Sequence, residues 1–191
     1  MPRSKQFEPE QALSSAMSAF WRHGYDATSM EDLMDCMGIG RASIYNAFGN
    51  KRALFLSALE HYVSSGGALQ GVRLPDSPRL AIVTAFRTIV ERAVTGESCD
   101  GCLVVNTALE LAPHDDEIAQ IVNGIFVQQE ALFRTYLVQA MACGEVPQTL
   151  DPSRTAQTLL ALSIAVLVLA RSRPDEPLLR SIEHQVQALL G

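Results

Sequence analysis

The chain has 191 residues, of which 48% are apolar and 19% charged, so it has enough nonpolar mass to build a core without disulfide staples. Fifteen Lys and Arg against 21 Asp and Glu leave a net charge of −6. That excludes a protein that coats nucleic acid through a broad basic surface, and any nucleic-acid contact must be local.

The opening residues Met1 to Glu10 carry no apolar signal segment, and the longest apolar run, Ala161 to Ala170, is interrupted by Ser163 and reads as too short to span a bilayer. Both point to a cytoplasmic protein with no membrane partner. There Cys36, Cys99, Cys102 and Cys143 are expected as reduced thiols rather than as a disulfide framework. No internal repeat, low-complexity tract or Gly-rich phosphate loop stands in the sequence.

Apolar residues recur at helical spacing along nearly the whole chain, which predicts an all-α fold. Leu13, Ala16, Met17, Phe20 and Trp21 form one stripe over Pro9 to His23, and Gly24 supplies a left-handed stop. Thr28, three residues before Glu31, has the spacing of a capping box for a short helix over Ser29 to Met37. Gly38-Ile39-Gly40 breaks that helix, Arg41 to Phe48 resumes it, and Gly49-Asn50 breaks it again. With Asn50 as cap, Leu54, Phe55, Ala58, Leu59 and Tyr62 mark a longer helix that stops near Ser64-Ser65-Gly66-Gly67, where a hinge fits. Further helices are predicted over Pro78 to Thr95, Cys102 to Leu111, Asp115 to Ala142, Pro152 to Arg171 and Pro177 to Leu190, punctuated by prolines in positions that helices tolerate. The 115–142 helix would run roughly 40 Å at 1.5 Å per residue.

Two short helices around a Gly-containing three-residue turn are the helix-turn-helix pattern, whose second helix enters the DNA major groove. On the wheel of residues 41–48, Ile44, Ala47 and Phe48 cluster on one side and are expected to dock inward. Ala42 and Asn46, flanked by Ser43 and Tyr45, face out. Such small and hydrogen-bonding residues allow close approach to base edges and phosphates without a charge-dense surface.

The segments Gly24-Tyr25-Asp26-Ala27-Thr28-Ser29-Met30 and Gly38-Ile39-Gly40-Arg41-Ala42-Ser43-Ile44-Tyr45-Asn46-Ala47-Phe48-Gly49-Asn50-Lys51 together resemble the signature of the tetracycline-repressor (TetR) family. The likeness covers about residues 8 to 62, and Gly101-Cys102-Leu103-Val104 and Gly144-Glu145-Val146 resemble a regulatory-domain subgroup. The resemblance implies a DNA-binding transcriptional regulator, a repressor released by a small-molecule effector, with no catalytic residue and no cofactor. It also implies roles for individual residues. Thr28 would hold a backbone phosphate at the start of the second helix, and Arg41, Ala42 and Ser43 would sit in the groove. Tyr45 would reach a phosphate, Asn46 would take a position often filled by His, and Lys51 would pin the flanking backbone. Gly40 departs from the frequent Ser and removes a side-chain cap.

The division expected is a helix-turn-helix domain over residues 1–50, a connecting helix over 51–66, and an effector-binding and dimerisation domain over 67–191. Both of the last two helices are apolar on more than one face, through Leu159, Leu160, Leu162, Ile164, Val166, Leu167 and Leu169 and then Leu178, Leu179, Ile182, Val186, Leu189 and Leu190. The expected cover is the same pair from a second copy, a homodimer that reads a roughly palindromic operator. If long helices surround an effector cavity as the family implies, its polar liners would come from Cys102, Asn106, Glu110, His114, Asn123, Arg134 and Tyr136.

Cys99 and Cys102 form C-x-x-C near a helix start. They open an alternative as a thiol-based redox or electrophile sensor and a remoter one as a thiol-disulfide enzyme, although no βαβ context accompanies them and Glu97 and Asp100 oppose a lowered thiol pKa. Zinc held by Cys99, Cys102, His114 and Cys143 lacks a second tight ligand pair, so no metal site is assigned. A helical adaptor that binds only protein is the remaining class.

Overall fold

A computed structural model describes residues 8–96 and 100–191. Among them the regular structure is helical: α1 (Pro9–His23), α2 (Met30–Met37), α3 (Arg41–Phe48), α4 (Lys51–Ser64), a short 3-10 turn (Gly67–Leu69), α5 (Pro78–Thr95), α6 (Leu103–Glu110), α7 (Asp116–Ala142), α8 (Pro152–Ser172) and α9 (Glu176–Leu190). The chain divides into two compact units, the first ending at Gly67 and the second beginning at Ala68. The first runs beyond residue 50 because α4 packs on α1 and buries Leu54, Phe55, Ala58, Leu59 and Tyr62.

In the first unit α1 contributes Ala12, Ala16, Met17 and Phe20 to an aromatic core. Phe20 meets Phe55 edge-on at 5.1 Å, Tyr25 meets Phe55 at 5.0 Å, and Trp21 meets Tyr62 at 5.0 Å. Such pairs favour one geometry beyond their area burial, so the ring cluster fixes how α1 crosses α4. Ser14 Oγ and His61 Nε2 add a hydrogen bond of 3.1 Å between the same helices.

The second unit has its own core, in which Ile82, Val83 and Phe86 of α5 meet Leu137 and Ala140 of α7, Ala156 and Leu159 of α8, and Val186 and Leu190 of α9. A remote carboxylate organises the start of α5: Glu145 Oε2 accepts from Ser77 Oγ at 3.0 Å and from the Arg79 amide at 2.9 Å, satisfying a donor that a helix start leaves without an intrahelical partner. Glu183, 6% exposed on α9, is paired by Arg87 Nε of α5 at 3.2 Å and by Arg180 Nη1 at 3.3 Å, as a buried carboxylate requires. Gly101 sits at φ 71°, where a Cβ would come within 3.1 Å of the Leu167 carbonyl oxygen, so the strap before α6 lies directly on α8.

α8 extends to 21 residues with a mean hydropathy of 1.6 over its most apolar window, long and apolar enough to cross a membrane by length and composition. The apolar run alone understated it, because Pro152 starts the helix with Asp151 as its cap and polar residues complete its first turns. In this fold α8 packs on α7 and α9 and buries Ala156, Leu159, Ser163, Val166 and Leu167.

Candidate nucleic-acid interface

α2 and α3 are both eight residues long, too short to persist alone in water, so their positions depend on what each buries and how each end is capped. α2 buries Leu33 and Met37, and α3 buries Ile44, which is 0% exposed. The turn between them needs Gly38 at φ 66°, a left-handed conformation that glycine adopts without a Cβ penalty.

The cap of α2 is Ser29 rather than Thr28. Ser29 Oγ accepts from the Asp32 amide at 3.1 Å while Asp32 Oδ2 accepts from the Ser29 amide at 2.8 Å, a reciprocal capping box one residue later than the sequence spacing predicts. The Ser29 hydroxyl and amide together hold the Asp32 carboxyl below the usual carboxylate range. Thr28 is 1% exposed and its hydroxyl donates to the Gly24 carbonyl oxygen at 2.6 Å. Its side chain therefore closes the α1–α2 turn internally, at the helix start where the resemblance places a backbone phosphate.

The outward edge of α3 is exposed: Arg41, Ala42, Tyr45 and Asn46 face solvent and Ser43 is half-buried. Tyr45 is 47% exposed although it is aromatic, which costs apolar burial that a core position would have recovered. Ala47 is exposed as well, so the docking side consists of Ile44 with a half-buried Phe48 rather than three residues. Gly40 starts α3 with no side-chain cap, as its lack of a hydroxyl implies, and the first-turn amides stay uncovered by any side chain of their own cap. Asn50 caps α4 by accepting from the Ala53 amide at 2.8 Å, which places Lys51 at the first position of that helix. Lys51 Nζ lies 4.3 Å from the centroid of the Tyr25 ring, a cation–π contact that aims an otherwise flexible ammonium. Arg41 forms an ion pair through Nη2 with Glu31 Oε1 of α2, a partner that helical spacing could not show because the two lie on different helices.

The polar candidates of the second unit do not converge. His114, Asn123 and Arg134 are exposed, and Asn123 and Arg134 stand eleven residues apart on α7, about 16 Å of helix rise, on its outer face. Cys102 is buried as the cap residue of α6, and Asn106 Nδ2 donates to the Asp100 carbonyl oxygen at 2.9 Å. Glu110 and Tyr136 are half-buried. The sequence predicts a helix over 115–142 but not which side of it faces inward.

Cys99 lies outside the described residues, so the Cys99–Cys102 pair does too. Cys36 and Cys143 are exposed, and partial burial pushes the Cys36 thiol up, away from the thiolate that reactivity needs. Among the described residues no group of three or more His, Cys, Asp or Glu side chains could hold a metal ion.

A helix-turn-helix with one buried anchor, a glycine turn and a polar outer edge defines a DNA-binding regulator. Residues 12–58 match the model of bacterial regulatory proteins of the tetR family, and residues 78–185 match the tetracyclin repressor-like C-terminal domain. The chain is 32% identical over 178 residues to the uncharacterized HTH-type transcriptional regulator YezE of Bacillus subtilis, covering 92% of each chain. It is 30% identical over 172 residues to the HTH-type transcriptional repressor ComR of Escherichia coli, covering 88% of this chain and 82% of that one. A cysteine mutant of the TetR-family regulator CifR, solved with a 26 bp double-strand operator DNA, superposes with a TM-score of 0.84 at 27% identity over 99% of this chain and 100% of that one. The chain belongs to the TetR family of bacterial transcriptional regulators.

Proposed function

We propose that this regulator is a homodimeric transcriptional repressor that binds a roughly palindromic operator through α3 and is released when a small molecule occupies its second unit. The observation that carries the DNA contact is the exposure of Tyr45, Arg41, Ala42 and Asn46 on one edge of a helix whose opposite side is held by the fully buried Ile44. Tyr45 donates to a phosphate, Lys51 neutralises the flanking backbone, and Arg41, Ala42, Ser43 and Asn46 approach base edges. The Thr28 hydroxyl is committed to Gly24, so at the start of α2 that residue shapes the turn and leaves phosphate contact to its neighbours.

Dimerisation is supported by α8 and α9, whose outer faces keep Ile164, Val168, Leu178 and Ile182 only half-buried and Leu189 36% exposed. A second copy of the same pair supplies the missing cover and sets two copies of α3 at a spacing tied to the DNA repeat. Effector and operator then weaken each other by the same factor, because coupling between two binding equilibria is reciprocal. The site of action is the cytoplasm, where the operator is.

A selection from a random-sequence duplex library on the full-length protein, followed by gel shift, tests this function. An enriched inverted repeat bound by the wild type, and bound more weakly by Tyr45→Ala and Lys51→Ala, is expected. A protein that retains no sequence preference, or one that sediments as a monomer on the enriched duplex, overturns it.

A further inference from the structure

We infer that Glu31 is a specificity-determining positioning residue: it holds the Arg41 guanidinium so that Arg41 answers a neutral base edge and resists a phosphate. This rests on the assignment of α3 as the DNA-reading helix. Three observations carry it.

The first is geometric. Glu31 stands in the first turn of α2 and Arg41 is the first residue of α3, so their ion pair spans the turn of the motif at its DNA-facing end. One edge of a planar guanidinium is thereby occupied, and the other donors keep a fixed direction. An arginine that reads guanine needs only two parallel donors toward O6 and N7, so a carboxylate on the remaining edge fixes orientation without blocking the contact.

The second is electrostatic. Both members of the pair are exposed, with side chains 53% and 69% accessible, so the pair stands in solvent and the carboxylate offsets the Arg41 charge there. A phosphate that approaches Arg41 finds its charge already compensated by the carboxylate and gains little from it, whereas a neutral base edge asks only for the remaining donors. Glu31 therefore taxes the contact that every duplex offers and spares the contact that only some sequences offer.

The third is the charge balance of the whole reading unit. Residues 1–67 carry six Lys and Arg against seven Asp and Glu, an unusual balance for a polyanion-binding unit. With no surplus of positive charge, neutralising one of the few cations at the interface changes the non-specific attraction by a large fraction. Other acids nearby are spent differently: Asp32 is engaged in the capping box of α2, and it points its oxygen back to Ser29. Glu31 is the acid that pairs with Arg41 of α3.

The test compares wild type, Glu31→Gln, Arg41→Ala and the double variant in the full-length protein, on the duplex enriched from the random library and on a scrambled duplex of the same composition, across a salt series. The expected result for Glu31→Gln is about a three- to fivefold gain on the scrambled duplex, the range an exposed ion pair commands, with less than about a twofold change on the enriched one, so that the specificity ratio falls. The salt dependence on the scrambled duplex steepens by up to about 0.9 in log–log slope, one phosphate's worth. In the Arg41→Ala background the same substitution changes neither affinity by more than about 1.5-fold, because the effect passes through Arg41. Glu31→Asp, which keeps the charge, restores most of the ratio.

Equal gains on both duplexes, a gain that survives Arg41→Ala, or no change at all overturns the inference while leaving the DNA-reading assignment intact. A wild-type protein that enriches no sequence overturns the assignment itself, and the role of Glu31 falls with it. Thermal melting of each variant identifies any loss of binding that arises from unfolding.

Discussion

α3 and α8 treat their side chains in opposite ways. α3 is eight residues long, buries Ile44 alone and keeps a large aromatic residue and an arginine in solvent. α8 is 21 residues long and contributes seven buried residues, while its outer face is apolar and only half-covered. The first helix is held by its neighbours so that its own chemistry can be offered to a polar, charged partner; the second holds its neighbours, and what it offers is shape and apolar area. A surface made of separate polar groups reads a sequence, whereas one made of contiguous aliphatic residues asks for an apolar cover of matching shape.

Core truncation in the two helices should give the largest effects and separate their roles. Leu159→Ala, at 0% exposure in the second core, is expected to cost about 3–4 kcal/mol in denaturant unfolding. Ile44→Ala is expected to cost about 2–3 kcal/mol, somewhat less because the small α3 can settle inward, yet it should remove operator binding almost entirely because the reading edge loses its fully buried anchor. If Ile44→Ala left gel-shift affinity unchanged, the anchor-and-edge division would be wrong.

Next in size, the double substitution Arg87→Ala with Arg180→Ala strands the Glu183 carboxylate inside the α5–α9 contact. The guanidiniums are 50% and 35% exposed, so a loss of about 1–3 kcal/mol is expected, recovered in part by adding Glu183→Leu. A melting temperature equal to the wild type's would show that Glu183 is solvated in solution.

Tyr45→Ala should reverse the pattern of the core variants. Its stability should stay within about 0.5 kcal/mol, because the ring is already half in water, while affinity for the enriched duplex drops about tenfold through loss of a hydrogen bond to a charged oxygen. Equal affinity of variant and wild type would remove Tyr45 from the interface.

The smallest effect belongs to the cap of α2. Ser29→Ala should cost about 1 kcal/mol. Because the Asp32 carboxyl is held below its ordinary value of 3.8 by Ser29, its contribution is complete above that pH and is lost as pH falls through the lowered value. Asp32→Asn should therefore flatten the acid limb of the stability profile, and an unchanged acid limb would place the stabilisation elsewhere.

Helix positions and the motif were legible in the sequence because proline opens and glycine ends helices by local backbone chemistry, as at Pro9 and Pro78 and at Gly24 and Gly38. The reading edge was legible for the same reason: once the period of α3 is set, the face opposite Ile44 is fixed. What sequence spacing missed are contacts between helices. Thr28 and Ser29 are equally good cap residues on paper, and the choice falls to Ser29 because Thr28 is drawn inward to Gly24. The pairs Arg41–Glu31 and Arg87–Glu183 join different helices, so no same-helix spacing finds them, although Glu176–Arg180 at i,i+4 and Arg180–Glu183 at i,i+3 do follow one along α9. Asn123 and Arg134 on the exposed side of α7, and Tyr136 half-buried on the same helix, show what spacing leaves open: it does not say which side of a long helix faces inward.

The near-neutral charge of residues 1–67 has a consequence for life on a chromosome. A reading head that gains little from bulk phosphate spends little time on the millions of wrong positions, so it travels by short visits rather than long slides. Fewer molecules are then sequestered by the genome at large, and a larger share stays free to find the operator.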